Sequence, residues 1–111
     1  MQSNYDQIRL YKFSQKEKEE IIRKIKGFVA RNKRIKLAII FGSLTTRDYV
    51  RDIDLCISSN PKLSFEELLD LNARLELELG VPVDIVELES LPKNLQTNIL
   101  KNGVLVKGKV L

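Results

Sequence analysis

Three short apolar runs constrain this chain most, because each ends on or encloses groups that buried strands normally exclude. Residues 37–43 read Leu-Ala-Ile-Ile-Phe-Gly-Ser, residues 52–57 Asp-Ile-Asp-Leu-Cys-Ile, and residues 81–88 Val-Pro-Val-Asp-Ile-Val-Glu-Leu. Burying an unpaired carboxylate is costly. Three that converge would instead suit a hard divalent cation, which takes oxygen ligands. The runs therefore point to strands of one sheet whose polar interruptions meet at a site.

Length limits what that sheet belongs to. With 111 residues the chain predicts one small domain, residues 14–107 as its core and 1–13 as an N-terminal extension. No second domain is expected to wall off a substrate. Composition excludes several chemistries. No histidine is present, so Ser-His triads, histidine general bases and His-ligated zinc are ruled out. The single cysteine, Cys56, allows no internal disulfide and reads as a small packed hydrophobe. Any metal must then be held by oxygen. The net charge of +4 suits a polyanionic ligand, but an ordinary basic surface explains it equally well. No basic stripe with interleaved aromatics appears, so direct nucleic-acid binding is not expected. No signal peptide and no long apolar stretch is seen, and the expectation is a soluble, cytoplasmic protein without a membrane span.

Periodicity supplies the elements between the runs. Ser14-Gln15-Lys16-Glu17 fits a capping box, and Ile21, Ile22, Ile25, Phe28 and Val29 follow at helical spacing. This predicts a helix from about residue 15 to 33, with the charges of Lys16 to Glu20 as a solvated face. A strand over 35–41 ends at Gly42-Ser43, a loop or single helical turn follows over 44–50, and Asp52 to Ser58 form a second strand. Ser64-Phe65-Glu66-Glu67 is a second capping box, with Leu63 and Leu68 placed as a hydrophobic staple. Leu68, Leu71, Leu75 and Leu79 make a helical stripe that Gly80 ends. A third strand spans about 82–88. Pro92 opens a short helix to Asn102, and 104–107 make one more strand. Tyr5, Ile8, Leu10 and Tyr11, in the extension, are expected to pack on the surface. The short link between the first two strands predicts antiparallel pairing, and the helical link between the second and third a parallel crossover. The expected fold is α/β (α+β), a mixed sheet of three to five strands flanked by helices. A doubly wound nucleotide fold is disfavoured, since no Gly-rich turn joins a first strand to a helix.

On a strand, Asp52 and Asp54 leave the same face, about 6–7 Å apart along it. Two such carboxylates resist ionising together unless a cation lies between them. Asp84 interrupts the third run and can face the pair if its strand lies alongside. Two ions held this way can clamp an in-line displacement at phosphorus. Gly42 at a strand end lets backbone approach a phosphate closely, and Ser43 can hold it. Arg47 and Arg51 can neutralise charge that develops on transfer. Each piece alone has an ordinary structural explanation: a turn, a solvated Asp pair, an exposed strand residue. Their order and strand context together point to metal-dependent phosphoryl or nucleotidyl transfer.

These residues resemble the DNA polymerase beta-like nucleotidyltransferase superfamily, and within it the minimal nucleotidyltransferases paired with HEPN-domain proteins in toxin–antitoxin modules. The matching pattern is Ile39-Ile40-Phe41-Gly42-Ser43, then Asp52-Ile53-Asp54-Leu55, then Val83-Asp84-Ile85-Val86. The tail Ile99-Leu100-Lys101-Asn102-Gly103-Val104-Leu105 is also similar. The resemblance covers about residues 20–107. It implies the polymerase beta-like fold, and that Asp52 and Asp54 bind Mg²⁺, two ions in all. Asp84 would be a third ligand or general base, and Gly42 and Ser43 would contact the triphosphate of ATP. The implied reaction moves AMP from ATP to a hydroxyl, a tyrosine of a HEPN partner whose RNase activity is thereby silenced. The chain departs from the pattern between Ser43 and Asp52, where only eight residues stand. Arg51 replaces the usual small residue, and Thr45, Thr46, Arg47 and Asp48 stand where a glycine is common. Two other expectations stay open: an antitoxin that acts by complex formation alone, and transfer to a small molecule. The surface also allows homo- or hetero-oligomers.

Overall fold

The computed structural model describes residues 10–109. Tyr5 and Ile8 lie outside the described residues; Leu10 is exposed and Tyr11 partly buried. The elements in chain order are β1 (Tyr11–Lys12), α1 (Gln15–Ala30), β2 (Ile35–Phe41), α2 (Ser43–Thr46), β3 (Tyr49–Val50), β4 (Ile53–Ser59), α3 (Phe65–Leu79), β5 (Val83–Glu87), a 3₁₀ turn (Leu88–Ser90), α4 (Lys93–Asn102) and β6 (Val104–Lys107).

Both capping boxes form as the sequence predicts. Ser14 Oγ accepts the N–H of Glu17 while Glu17 accepts the N–H of Ser14, and Ser64 and Glu67 repeat the arrangement. Each satisfies two helix-end donors that would otherwise have no partner. The first helix ends at Ala30, about three residues before the predicted end. Asn32 Oδ1 accepts the N–H of Arg34 in a local turn, and Lys107 Nζ donates to the carbonyls of Val29 and Asn32. A side chain from β6 thus closes the helix end. Gly80 ends α3 in the left-handed region, at φ 74°.

The main sheet has four strands in the order β5-β4-β2-β6. β2 pairs antiparallel with both β4 and β6, and β4 pairs parallel with β5. The predicted mixed sheet and both predicted pairings are therefore present. Strand alternation divides the apolar residues between two faces. Ala38, Ile40, Ile53, Leu55 and Ile57 join Ile25 and Val29 of α1 and Leu71 and Leu75 of α3 in the larger core. Ile39 and Cys56 meet Leu88 and Ile99 in a smaller one, which the 3₁₀ turn and α4 cover. Cys56 is buried there, and burial pushes its thiol up to about 11, so it packs rather than reacts. No helix among the described residues is long and apolar enough to cross a membrane.

One pairing has no counterpart in the sequence pattern. β1 and β3 form a separate antiparallel ribbon, with Tyr11 opposite Val50 and Lys12 opposite Tyr49. Phe13 N–H donates to the Asp48 carbonyl. Two-residue strands carry too little periodicity to be read from sequence.

Burial separates two leucines on one helix. Leu75 is fully buried and Leu77 is 85% exposed. Leu75→Ala should lower unfolding free energy by about 2–5 kcal/mol, against roughly 0.5 kcal/mol or less for Leu77→Ala. Urea denaturation of both variants checks this.

Candidate functional site

The site lies on the sheet face that α4 covers only in part. Asp54 leaves β4 on the same side as Cys56, but nearer the start of the strand, at the edge of the smaller core. Phe41 is its partner across β2, and Asp84 its partner across β5. Adjacent strands stand about 4.8 Å apart, so the two carboxylates are close neighbours. Asp52 falls one residue before β4 begins at Ile53, rather than inside the strand as the sequence suggests. It still lines the same groove as Asp54.

Gly42 is the fixed point beside them. Its φ of 79° and ψ of −149° place it in a region that only glycine readily adopts. A Cβ added there would lie 2.3 Å from Asp54 Oδ2. The turn beyond it is tied back on itself: the Gly42 carbonyl accepts the Thr45 N–H at 3.2 Å, Thr45 Oγ1 at 2.8 Å and Thr46 Oγ1 at 3.3 Å. Thr45 and Thr46 therefore hold the Gly-Ser turn. Lys18 Nζ donates to the carbonyl of Arg47, which ends α2. Lys18 is thus no part of a purely solvated face; it ties α1 to the site loop.

Asp84 is held from the other side. Asn72 of α3 donates to the Val83 carbonyl at 2.9 Å and accepts the Ile85 N–H at 3.1 Å. Glu76 accepts the Val83 N–H at 2.8 Å. The outer edge of β5 is satisfied by helix side chains on both sides of Asp84, which fixes that residue's backbone.

The electrostatics run against an isolated carboxylate cluster. Burial pushes Asp54 from the ordinary 3.8 up to about 6, with the charges of Asp52 and Asp84 adding to it and Arg51 opposing. Among the described residues none donates a hydrogen bond or forms an ion pair to the carboxylates of Asp52, Asp54 or Asp84. Anionic oxygen without protein partners is the donor set a hard divalent cation takes. Among the described residues no three acidic, histidine or cysteine side chains are gathered closely enough to hold an ion without adjustment.

The groove itself measures about 640 Å³ and is lined by Leu10, Gly42, Ser43, Thr46, Arg47, Tyr49, Arg51, Asp52 and Asp54. Six of the seven residues singled out in the sequence line it, and Asp84 stands outside the lining beside Asp54. Leu10, Thr46 and Tyr49 were missed as site residues. Leu10 and Tyr49 arrive through the β1–β3 ribbon, which no local signal announces. A larger groove of about 840 Å³ lies between the end of α1 and α3. Most of its charges are paired, Arg31 with Glu78, Arg34 with Glu67 and Arg74 with Asp70, and it gathers no comparable set of neighbouring carboxylates without partners.

Residues 23–109 match the family model described as polymerase beta, nucleotidyltransferase. A Methanocaldococcus jannaschii protein named "Putative protein adenylyltransferase" is 38% identical over 80 residues, spanning 70% of this chain and 79% of that protein. Among solved structures, the fold matches the toxin–antitoxin MntA–HepT with a TM-score of 0.66 at 23% identity, covering 82% of this chain and 73% of that one. It matches the complex of a tri-AMPylated Shewanella oneidensis HEPN toxin with MNT antitoxin at 0.68 and 24%, covering 83% and 73%. A toxin–antitoxin structure with AMP-PNP matches at 0.69 and 25%, covering 79% and 73%. The family match takes in the Gly-Ser turn and all three aspartates, and the chain belongs to the polymerase beta nucleotidyltransferase family as a nucleotidyltransferase.

Proposed function

We propose that this chain is a Mg²⁺-dependent adenylyltransferase that moves AMP from ATP to a tyrosine hydroxyl of a HEPN partner, as the antitoxin of a toxin–antitoxin pair. The observation that carries the reading is the set of three unpaired carboxylates beside a turn that only glycine fits. The relative named for protein adenylyltransfer, the AMPylated HEPN toxin bound to its antitoxin, and the AMP-PNP complex support it.

Asp52 and Asp54 would hold Mg²⁺, with Asp84 as third ligand or as acceptor of the tyrosine proton. The ions would neutralise the triphosphate and polarise phosphorus. Gly42 brings backbone against the phosphate tail, and the Ser43 hydroxyl binds it. Arg47 and Arg51 offset charge growing on the leaving group. The tyrosine oxygen bonds to the α-phosphorus, the bond from that phosphorus to the β-phosphate bridge oxygen breaks, and pyrophosphate departs. The phenolic proton passes to Asp84 or to water.

The decisive test is incubation with a HEPN protein from the neighbouring gene. Label from α-labelled ATP should appear on the partner only with Mg²⁺, and label from γ-labelled ATP should not. Chelation, or Asp52→Ala combined with Asp54→Ala, should abolish transfer. Transfer that survives the double substitution would overturn the assignment. A double variant that still neutralises its partner would favour complex formation without chemistry.

Gly42→Ala places a methyl against Asp54 and forces a glycine-only conformation. It should lower stability by about 1–3 kcal/mol and remove transfer activity. Denaturant melts and the label assay read the two effects separately.

Asp54 also makes a pH prediction. Its raised folded-state value means the fold favours the protonated form, so this contribution to stability is present below about pH 4 and lost as pH rises through about 6. In chelator, Asp54→Asn should melt a few degrees above the parent at pH 8, the gap closing by pH 4. Mg²⁺ should raise the parent's melting temperature at pH 8 and leave the variant's unchanged. A variant that melts lower at pH 8 contradicts the account.

A further inference from the structure

Two apolar side chains in the catalytic groove have no part in phosphate or carboxylate chemistry. Leu10 is 59% exposed and Tyr49 is 55% exposed, and both line the groove with Gly42, Ser43 and Asp54. They are presented by a built element. β1 and β3 pair through their backbones, and Val50, the neighbour of Tyr49, is buried at 1% exposure. Strand alternation then turns Tyr49 outward. Lys12 Nζ lies 5.7 Å from the centroid of the Tyr49 ring, a distance at which a cation is attracted to the ring face. Leu10 and β1 precede residue 23, where the family match begins, whereas Tyr49 lies within it, so the ribbon adds a segment from outside the matched range to one inside it.

The groove therefore combines three surfaces. A glycine turn with Arg47 and Arg51 suits a polyanion, the carboxylates suit a bound cation at the reacting phosphorus, and Leu10 with Tyr49 suits a flat apolar ring. A nucleoside triphosphate carries the same three parts in one molecule. The volume of about 640 Å³ is that of a small-molecule site. We infer that Leu10 and Tyr49 form the nucleobase subsite, the base stacking on the face of Tyr49 opposite Lys12 and resting its edge on Leu10. This rests on the nucleotidyl-transfer reading above. Stacking on one aromatic ring is tolerant of sequence but strong enough to matter. It makes the N-terminal ribbon a determinant of nucleotide affinity rather than a loose extension.

Equilibrium binding of ATP and of inorganic tripolyphosphate, each with Mg²⁺, tests this on the full chain. Tyr49→Ala should weaken ATP about 10-fold while leaving tripolyphosphate unchanged. Tyr49→Phe should bind ATP as the parent does, and Leu10→Ala should fall between. The loss should appear in KM for ATP and not in kcat. Equal weakening of both ligands would mean the substitution disturbs the phosphate turn, and would overturn the subsite. Unchanged ATP binding with a raised KM for the protein acceptor would assign the wall to the acceptor instead, and would also overturn it. A parent chain that binds neither ligand would fail the nucleotidyl-transfer reading itself, a result distinct from either of these.

Discussion

The antiparallel register of β2 against β4 is the constraint on which the rest depends. Both strands are central in the sheet and buried on their two faces. Phe41 opposite Asp54 brings Gly42 against the Asp54 carboxylate, and Ile39 opposite Cys56 sends those two into the smaller core. A slip of one residue would reverse every side chain. Asp54 would then enter the apolar layer under α1 and α3, and Ile53 and Leu55 would face the groove. Hydrophobic burial on the larger face thus holds the carboxylate where it stands, although the carboxylate itself opposes burial.

Around that pair the site is supported by backbone-directed bonds rather than by neutralising partners. Asn72 and Glu76 hold the strand that carries Asp84, the threonine hydroxyls hold the Gly42 carbonyl, and Lys18 holds the end of α2. None of them reaches the carboxylates. Backbone geometry is therefore rigid where charge is left uncompensated, an arrangement that lowers stability locally and keeps the oxygens open to a ligand. The charged groove between α1 and α3 shows the opposite pattern. There Arg31, Arg34 and Arg74 each have a carboxylate partner.

Partial cover is the second consequence of the topology. The 3₁₀ turn and α4 close the sheet face over Ile39 and Cys56 and stop short of Asp54. The open end is then walled by the short segments on either side of it, α2 and the β1–β3 ribbon. The stretch from Thr45 to Arg51 is part of that wall. Its threonines satisfy the turn, Val50 anchors it in the core, and Tyr49 is turned toward the groove.

Much of this was legible in the sequence because it is encoded locally. Capping boxes, the apolar stripe of α3, the glycine stop and the alternation within β4 depend on residues within a few positions of one another. Those signals placed the two long helices and the four sheet strands, and predicted both pairings. The Gly42-Ser43, Asp52, Asp54 and Asp84 pattern likewise follows from chemistry misplaced in apolar runs. What local pattern could not supply was long-range. The carbonyl of Val29 at the end of α1 accepts a bond from Lys107, 78 residues away. Lys18, in a run of charges that looks like solvent-facing helix, reaches Arg47, 29 residues away. The β1–β3 ribbon joins two-residue strands with no periodicity of their own. The sequence alone determined the two long helices, the four strands of the main sheet and the candidate carboxylates, since propensity, capping and alternation act over a few residues. Only the tertiary structure decided how far the sheet face is covered, that Asp84 stands beside Asp54 and outside the groove lining, and that Leu10 and Tyr49 wall the site, because each depends on contacts between segments distant along the chain.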